Sequence, residues 1–105
     1  MPLAILRKNH RDCPAIICDH CGEEITDPRR GNYEWVMSAE GGDTPRTLHF
    51  THKECCHAFE AARPLPKGMM WGAMALEDLL PFLMANLGVT FKRIRERRKW
   101  QREYP

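Results

Sequence analysis

The sequence has no apolar run long enough to span a bilayer, and its opening Met1-Pro2-Leu3-Ala4-Ile5-Leu6 stretch is too short for the apolar region of a secretory signal. Both absences point to a cytoplasmic location with no membrane partner. There is no phosphate-binding P-loop and no G-x-G-x-x-G turn, so nucleotide-dependent chemistry has no foothold. The pairing of H-x-E with P-C-x-x-C that zinc deaminases use is missing as well. Aliphatic side chains are scarce between about residues 10 and 68, where proline, glycine, cysteine and charge dominate. In a chain of 105 residues, such a middle needs a staple to supplement its small core.

What the middle does contain is sulfur and imidazole. Five cysteines are interleaved with five histidines; the odd count and the interleaving favour metal over disulfides. Cys18-x-x-Cys21 followed by Gly22 can close a tight knuckle, with Gly22 free to take positive φ. Thirty residues on, Thr51-His52-Lys53-Glu54-Cys55 supplies His52 and Cys55. Thr51 and Glu54 have the spacing of a capping box, which predicts a helix beginning at His52 and running to about Arg63, ahead of Pro64. Residues three apart share a helix face, so His52 and Cys55 would point at one metal, and a helix N-terminus favours the thiolate. Cys18, Cys21, His52 and Cys55 are therefore the expected ligands of one structural Zn2+. Cys56 is an alternative to Cys55 whose direction fits His52 less well. The set is complete and sulfur-rich, leaving no open coordination position. Cys55, Cys56 and His57 point apart on a helix, so no nucleophile–base pair forms, and the expectation is that the protein is not an enzyme and has no small-molecule substrate. His10-x-x-Cys13 is a further half-site with no evident second half.

The remaining elements follow from pattern. Residues 3–6 and 15–17 read as short strands separated by a polar turn. Asn32–Met37 alternates polar and apolar, residues 39–45 are turn-rich, and Arg46–Phe50 returns, which predicts a β-hairpin between the two ligand pairs. Phe59 shares a stripe with Cys55 and is expected below the metal. Residues 63–68 read as a stiff linker. Leu76, Leu79, Leu80, Leu83, Met84 and Leu87 form a helical stripe, with Pro81 placed in the first turn and Gly88 ending the helix. Thr90 is positioned to cap a last helix from Phe91, with Phe91 and Ile94 as its core pair.

The order knuckle, hairpin, helix is the arrangement of treble-clef zinc fingers, and the stretch from Cys18 to Cys55 resembles the first zinc unit of LIM-type domains. The segment Cys18-x-x-Cys21-Gly22-x-x-Ile25-x-x-x-Arg29 is also similar to the knuckle of the bacterial DksA/TraR family. These resemblances cover roughly residues 16–63 and imply a metal-stabilised fold, not a particular task. The expected fold is α+β: a small treble-clef module over residues 1–63, a linker over 64–70, and two helices over 71–105.

Charge is divided unevenly. Residues 92–102 carry seven basic side chains and one acid, whereas residues 1–91 carry nine basic side chains against twelve acids. A basic tail on a mildly acidic body points to a polyanionic or acidic partner. Leu87-Gly88-Val89-Thr90-Phe91-Lys92-Arg93-Ile94 resembles the turn and recognition helix of helix-turn-helix proteins. That resemblance implies duplex DNA as partner, with Thr90 to Arg93 facing the major groove. Arg95, Arg97, Arg98 and Lys99, together with Lys92 and Arg93, would then meet nucleic acid. A plain helix–Gly–helix hairpin with a solvated basic end fits the same residues. Two functions stay open: a zinc-containing DNA-binding regulator, and a zinc-stabilised module that docks a protein through its hairpin and aromatics Trp35, Trp71 and Trp100.

Overall fold

The computed structural model describes residues 3–38 and 45–103. Its elements run β1 (Leu3–Lys8), β2 (Arg11–Ile16), a 3-10 turn (Pro28–Arg30), β3 (Gly31–Ser38), β4 (His49–His52), a second 3-10 turn (Lys53–Cys55), α1 (Cys56–Ala61), β5 (Met69–Ala75), α2 (Leu76–Asn86) and α3 (Phe91–Glu103). The architecture is α+β, with a β-hairpin, a knuckle and two C-terminal helices.

β1 and β2 pair antiparallel from Leu3↔Ile16 to Lys8↔Arg11. Their turn consists of Asn9 and His10 alone, both at positive φ (49° and 64°), the turn whose twist matches a hairpin. The polar turn expected between the first two strands is thus mostly strand. β2 continues through the Ile17↔Glu24 bridge, and Ile25 N–H donates to the Ile16 carbonyl (2.8 Å), so the Cys18–Gly22 loop is the tip of a second small hairpin.

The central sheet has the order β4-β3-β5, all antiparallel. Because strand side chains alternate, it presents two faces. Tyr33 and Phe50 on one face form the buried core with Cys18, Ile25 and Leu76, and Trp35 packs beside them. Glu34 and Thr51 on the other are fully buried, beneath α1. Phe59 of α1, also fully buried, meets His49 and Trp71 on that second face (ring centroids 5.3 and 5.1 Å apart), under the Arg63 guanidinium. Phe59 is therefore anchored in an aromatic nest, not under the ligand cluster as expected. Gly31, opposite His52, is a close approach: a Cβ there would lie 2.8 Å from Leu76 Cδ2 and 2.9 Å from Ile25 Cγ2.

Four local expectations are corrected. The hairpin strands are Gly31–Ser38 and His49–His52, so Arg46–Leu48 lie outside the return strand. All but Pro45 of the expected tip is outside the described residues. Thr51 does not cap a helix: its hydroxyl donates to Glu34 (2.8 Å), β4 runs on to His52, and a 3-10 turn without a side-chain cap precedes α1. Residues 69–75, expected as the end of a linker and the start of a helical segment, form β5, pairing with β3 over seven registered positions. Pro81 lies inside α2, beyond the first turn, because α2 begins at Leu76.

α2 packs its first turn against the sheet and then outruns it. Leu76 is buried and Leu79 half-buried, but Leu80, Leu83 and Leu87 on the same stripe are exposed. Gly88, at φ 71°, ends α2 as expected: Val89 N–H reaches the Met84 carbonyl (2.9 Å) and Gly88 N–H that of Ala85 (3.1 Å). Thr90 Oγ1 accepts from Arg93 N–H (3.2 Å), so Thr90 caps α3.

Candidate metal centre

The four expected ligands arrive from three directions. Cys18 and Cys21 come from the knuckle, His52 from the end of β4 and Cys55 from the 3-10 turn. One donor atom of each lies within 4.8 Å of every other. The group can therefore hold a metal ion. Cys21 Sγ and His52 Nδ1 are 3.4 Å apart. A tetrahedral zinc with ordinary bond lengths spaces a sulfur and a nitrogen ligand by about 3.5 Å, so the geometry and the Cys3His donor set both suit Zn2+.

The knuckle is shaped by its backbone. Gly22 adopts φ 78°, its N–H reaches the Cys18 carbonyl (3.0 Å), and Cys18 N–H reaches the Glu23 carbonyl (2.9 Å). The turn aims N–H groups at sulfur: His20 and His52 N–H each donate to Cys18 Sγ at 3.4 Å. Burial pushes the Cys18 thiol up, but N–H donors from Cys21, His52 and His20 outweigh it and hold the group at about 6, ready as a thiolate. Cys55 behaves oppositely. Burial first, then the neighbouring Cys18 and Cys21 sulfurs, raise it to about 12.

His52 is oriented from behind. Its Nε2 is 3.2 Å from the Glu24 carbonyl oxygen, which can only accept, so the ring proton of neutral His52 sits on Nε2. The Nδ1 lone pair then faces the cluster. The knuckle is fixed to the sheet by Asp19, whose N–H donates to the Phe50 carbonyl (2.7 Å) and whose carboxylate accepts from Phe50 N–H (2.9 Å). Asp19 and Glu24 escaped the sequence reading: Asp19 ties the edge of β4 from a loop, Glu24 contributes only a backbone carbonyl, and neither leaves a motif.

The alternatives resolve clearly. Cys56 faces away from the quartet and its thiol donates to Glu60 (3.2 Å) and Glu34 (3.4 Å); burial and these two acceptors raise it to about 12. Glu34, Cys56 and Glu60 also form a compact donor group, but a protonated thiol bridging two carboxylates already accounts for it. Burial raises the Glu34 carboxyl, partly offset by its hydrogen bonds from Thr51 and Cys56. His10 is exposed and Cys13 half-buried, and neither belongs to a donor group among the described residues. None of the five cysteines is in a disulfide.

The second candidate site is α3. Lys92, Arg93, Arg95, Arg97, Arg98 and Lys99 are all exposed and distributed around the helix. Arg93 makes a loose ion pair with Glu96 (3.9 Å), Arg98 donates to Gln101 (3.0 Å), and Arg97 lies over the Trp100 ring. Ile94 is half-buried, but Phe91 is 77 % exposed and does not form the expected core pair. Among the described residues no helix is long and apolar enough to cross a membrane. Compared with protein-family models, curated proteins and solved structures, the chain matches none of them.

Proposed function

We propose that this chain is a non-catalytic zinc module of treble-clef type that binds nucleic acid through α3, acting as a small cytoplasmic DNA-binding regulator. The treble-clef reading is supported by the knuckle, hairpin and short helix that converge on the Cys3His cluster. Four donors from the protein complete a tetrahedral shell, so the metal has no position left for a substrate and serves the fold.

The observation that carries the nucleic-acid reading is the exposure of six cations on one capped helix, with one loose carboxylate partner, at Arg93, among the described residues. Side chains pointing all round allow only part of the set to meet one duplex. Engagement of about three or four phosphates gives a slope of log K against log salt near −3. Fluorescence anisotropy with a labelled duplex, titrated at several salt concentrations, tests this. Replacing Arg95, Arg97 and Arg98 with Ala together should remove most of the affinity and flatten the slope. No duplex binding at low salt, or binding unaffected by the triple variant, overturns the reading.

A second reading has its own support. The α2 stripe continues past the body as exposed Leu80, Leu83 and Leu87, with Phe82 and Phe91 also exposed nearby in sequence. Apolar surface of this kind is typical of protein docking sites. If a partner protein is the target, substituting these residues abolishes its capture while the arginine variant does not.

A further inference from the structure

The two edges of the central sheet are treated differently. At β4 the outer edge is tied to the knuckle through Asp19 and Phe50. At β5 no strand pairs with the outer side among the described residues. Natural sheets blunt such edges with charge, proline, bulges or brevity. β5 has none of these. Met69-Met70-Trp71-Gly72-Ala73-Met74-Ala75 contains no charge and no proline, and its seven positions pair with β3 in unbroken register. Met69, Met70 and Met74 are exposed, as is Met37 on the neighbouring strand opposite Met70.

We infer that β5 is a self-association edge, pairing antiparallel with β5 of a second copy about a two-fold axis at Gly72. The strand is self-complementary in that register. Met70 would face the partner's Met74, Trp71 its Ala73, and Met69 its Ala75, so each large side chain meets a small or flexible one. With no charge in the strand, no like charges oppose one another. Gly72 meets its symmetry mate at the centre. There the Met37 sulfur and the Trp35 ring already lie across Gly72, with Sδ, Cε2 and Cζ2 at 2.6, 2.8 and 2.9 Å from where a Cβ would stand. A glycine is required beneath this ring, and the symmetric pair sets two such rings on the same face across the axis. The result is a six-stranded sheet, β4-β3-β5-β5-β3-β4. An interface confined to one strand edge and its flanking methionines is small beside the roughly 800 Å2 per partner of a standard interface, so the dimer is a weak one.

The test uses two double variants of the full chain that differ only in sign at one position. M70K/M74K sets lysine opposite lysine twice in the antiparallel dimer; M70K/M74E sets lysine opposite glutamate twice. Sedimentation velocity from about 1 to 300 μM follows the dimer, a range that brackets micromolar affinity. Circular dichroism and thermal midpoint serve as fold controls, and both variants perturb the monomer at the same two exposed sites. The wild type should dimerise, M70K/M74K should lose dimer by at least tenfold in Kd, and M70K/M74E should regain it. A wild type that stays monomeric, a dimer indifferent to both variants (as one built on the α2 stripe would be), or variants that lose dimerisation equally overturns the inference. So does a monomeric wild type that instead captures an extended peptide along β5.

Discussion

Thr51→Val isolates a single fully buried polar contact. Thr51 and Glu34 are both fully buried, and the Thr51 hydroxyl donates to Glu34 Oε2 at 2.8 Å. Valine has nearly the same shape, so packing is retained and only the donor is lost. A hydrogen bond to a charged acceptor contributes about 1.5–3 kcal/mol, and its removal from a buried carboxylate sits towards the upper end. For a domain of this size about 2 kcal/mol lowers the thermal midpoint by roughly 8–15 °C. The pH dependence adds a sharper criterion. Burial raises the folded Glu34 carboxyl above its ordinary value, and the Thr51 bond partly lowers it again. A raised carboxyl binds more protons folded than unfolded, so its contribution falls as pH rises from the unfolded value towards the folded one. Removing Thr51 raises the folded value further and steepens that fall. The destabilisation by Thr51→Val is therefore greatest at pH 8 and shrinks on acidification, because protonated Glu34 needs the donor less. Urea unfolding of wild type and variant at pH 5.5, 6.5 and 8 measures the difference, and any proton competition at the metal cluster cancels between them. A loss below about 0.5 kcal/mol, or one that grows towards acid, refutes the reasoning.

Three further outcomes follow from the packing. Gly31→Ala drives a methyl group to within 3 Å of Leu76 Cδ2 and Ile25 Cγ2, and overpacking of this kind costs about 1–3 kcal/mol in chemical denaturation. Glu34→Gln removes the raised carboxyl altogether, so stability should decline less between pH 5 and 8 than in the wild type; an unchanged pH profile contradicts the assignment. Thr90→Ala removes the α3 cap and about 1 kcal/mol of helix stability, read as faster amide exchange in α3. Because that helix is exposed almost throughout, the thermal midpoint of the body should stay put.

The metal cluster, the end of α2 and the start of α3 were legible because each rests on short-range chemistry. C-x-x-C-G can hardly do anything but turn, and Gly88 and Thr90 act within a few residues of themselves. The capping box failed for an instructive reason. Thr51 and Glu54 had the right spacing, yet Thr51 finds its partner seventeen residues earlier, in Glu34, and a buried long-range bond outcompetes an exposed local one. Glu34 itself read as the polar half of an alternating strand with one face in water. In the fold both faces of β3 are covered, one by the knuckle and α2 and the other by α1, so an acid sits where alternation implies solvent. β5 was hidden for a related reason. Its methionines and alanines carry no polar alternation, and its identity comes from pairing with β3, 31 to 43 residues away in the chain.

The proposed structural zinc at Cys18, Cys21, His52 and Cys55 is the point on which fold and function both turn. Elemental analysis of purified protein tests it directly, with Cys13→Ser as a control cysteine outside the cluster. One zinc per chain is expected in the wild type and in Cys13→Ser, and little in Cys18→Ser and Cys55→Ser. Chelation should abolish cooperative unfolding, since affinity in such a module is folding free energy. Stoichiometric zinc in both Cys18→Ser and Cys55→Ser, or a chelated protein that still unfolds cooperatively at the same temperature, would contradict it.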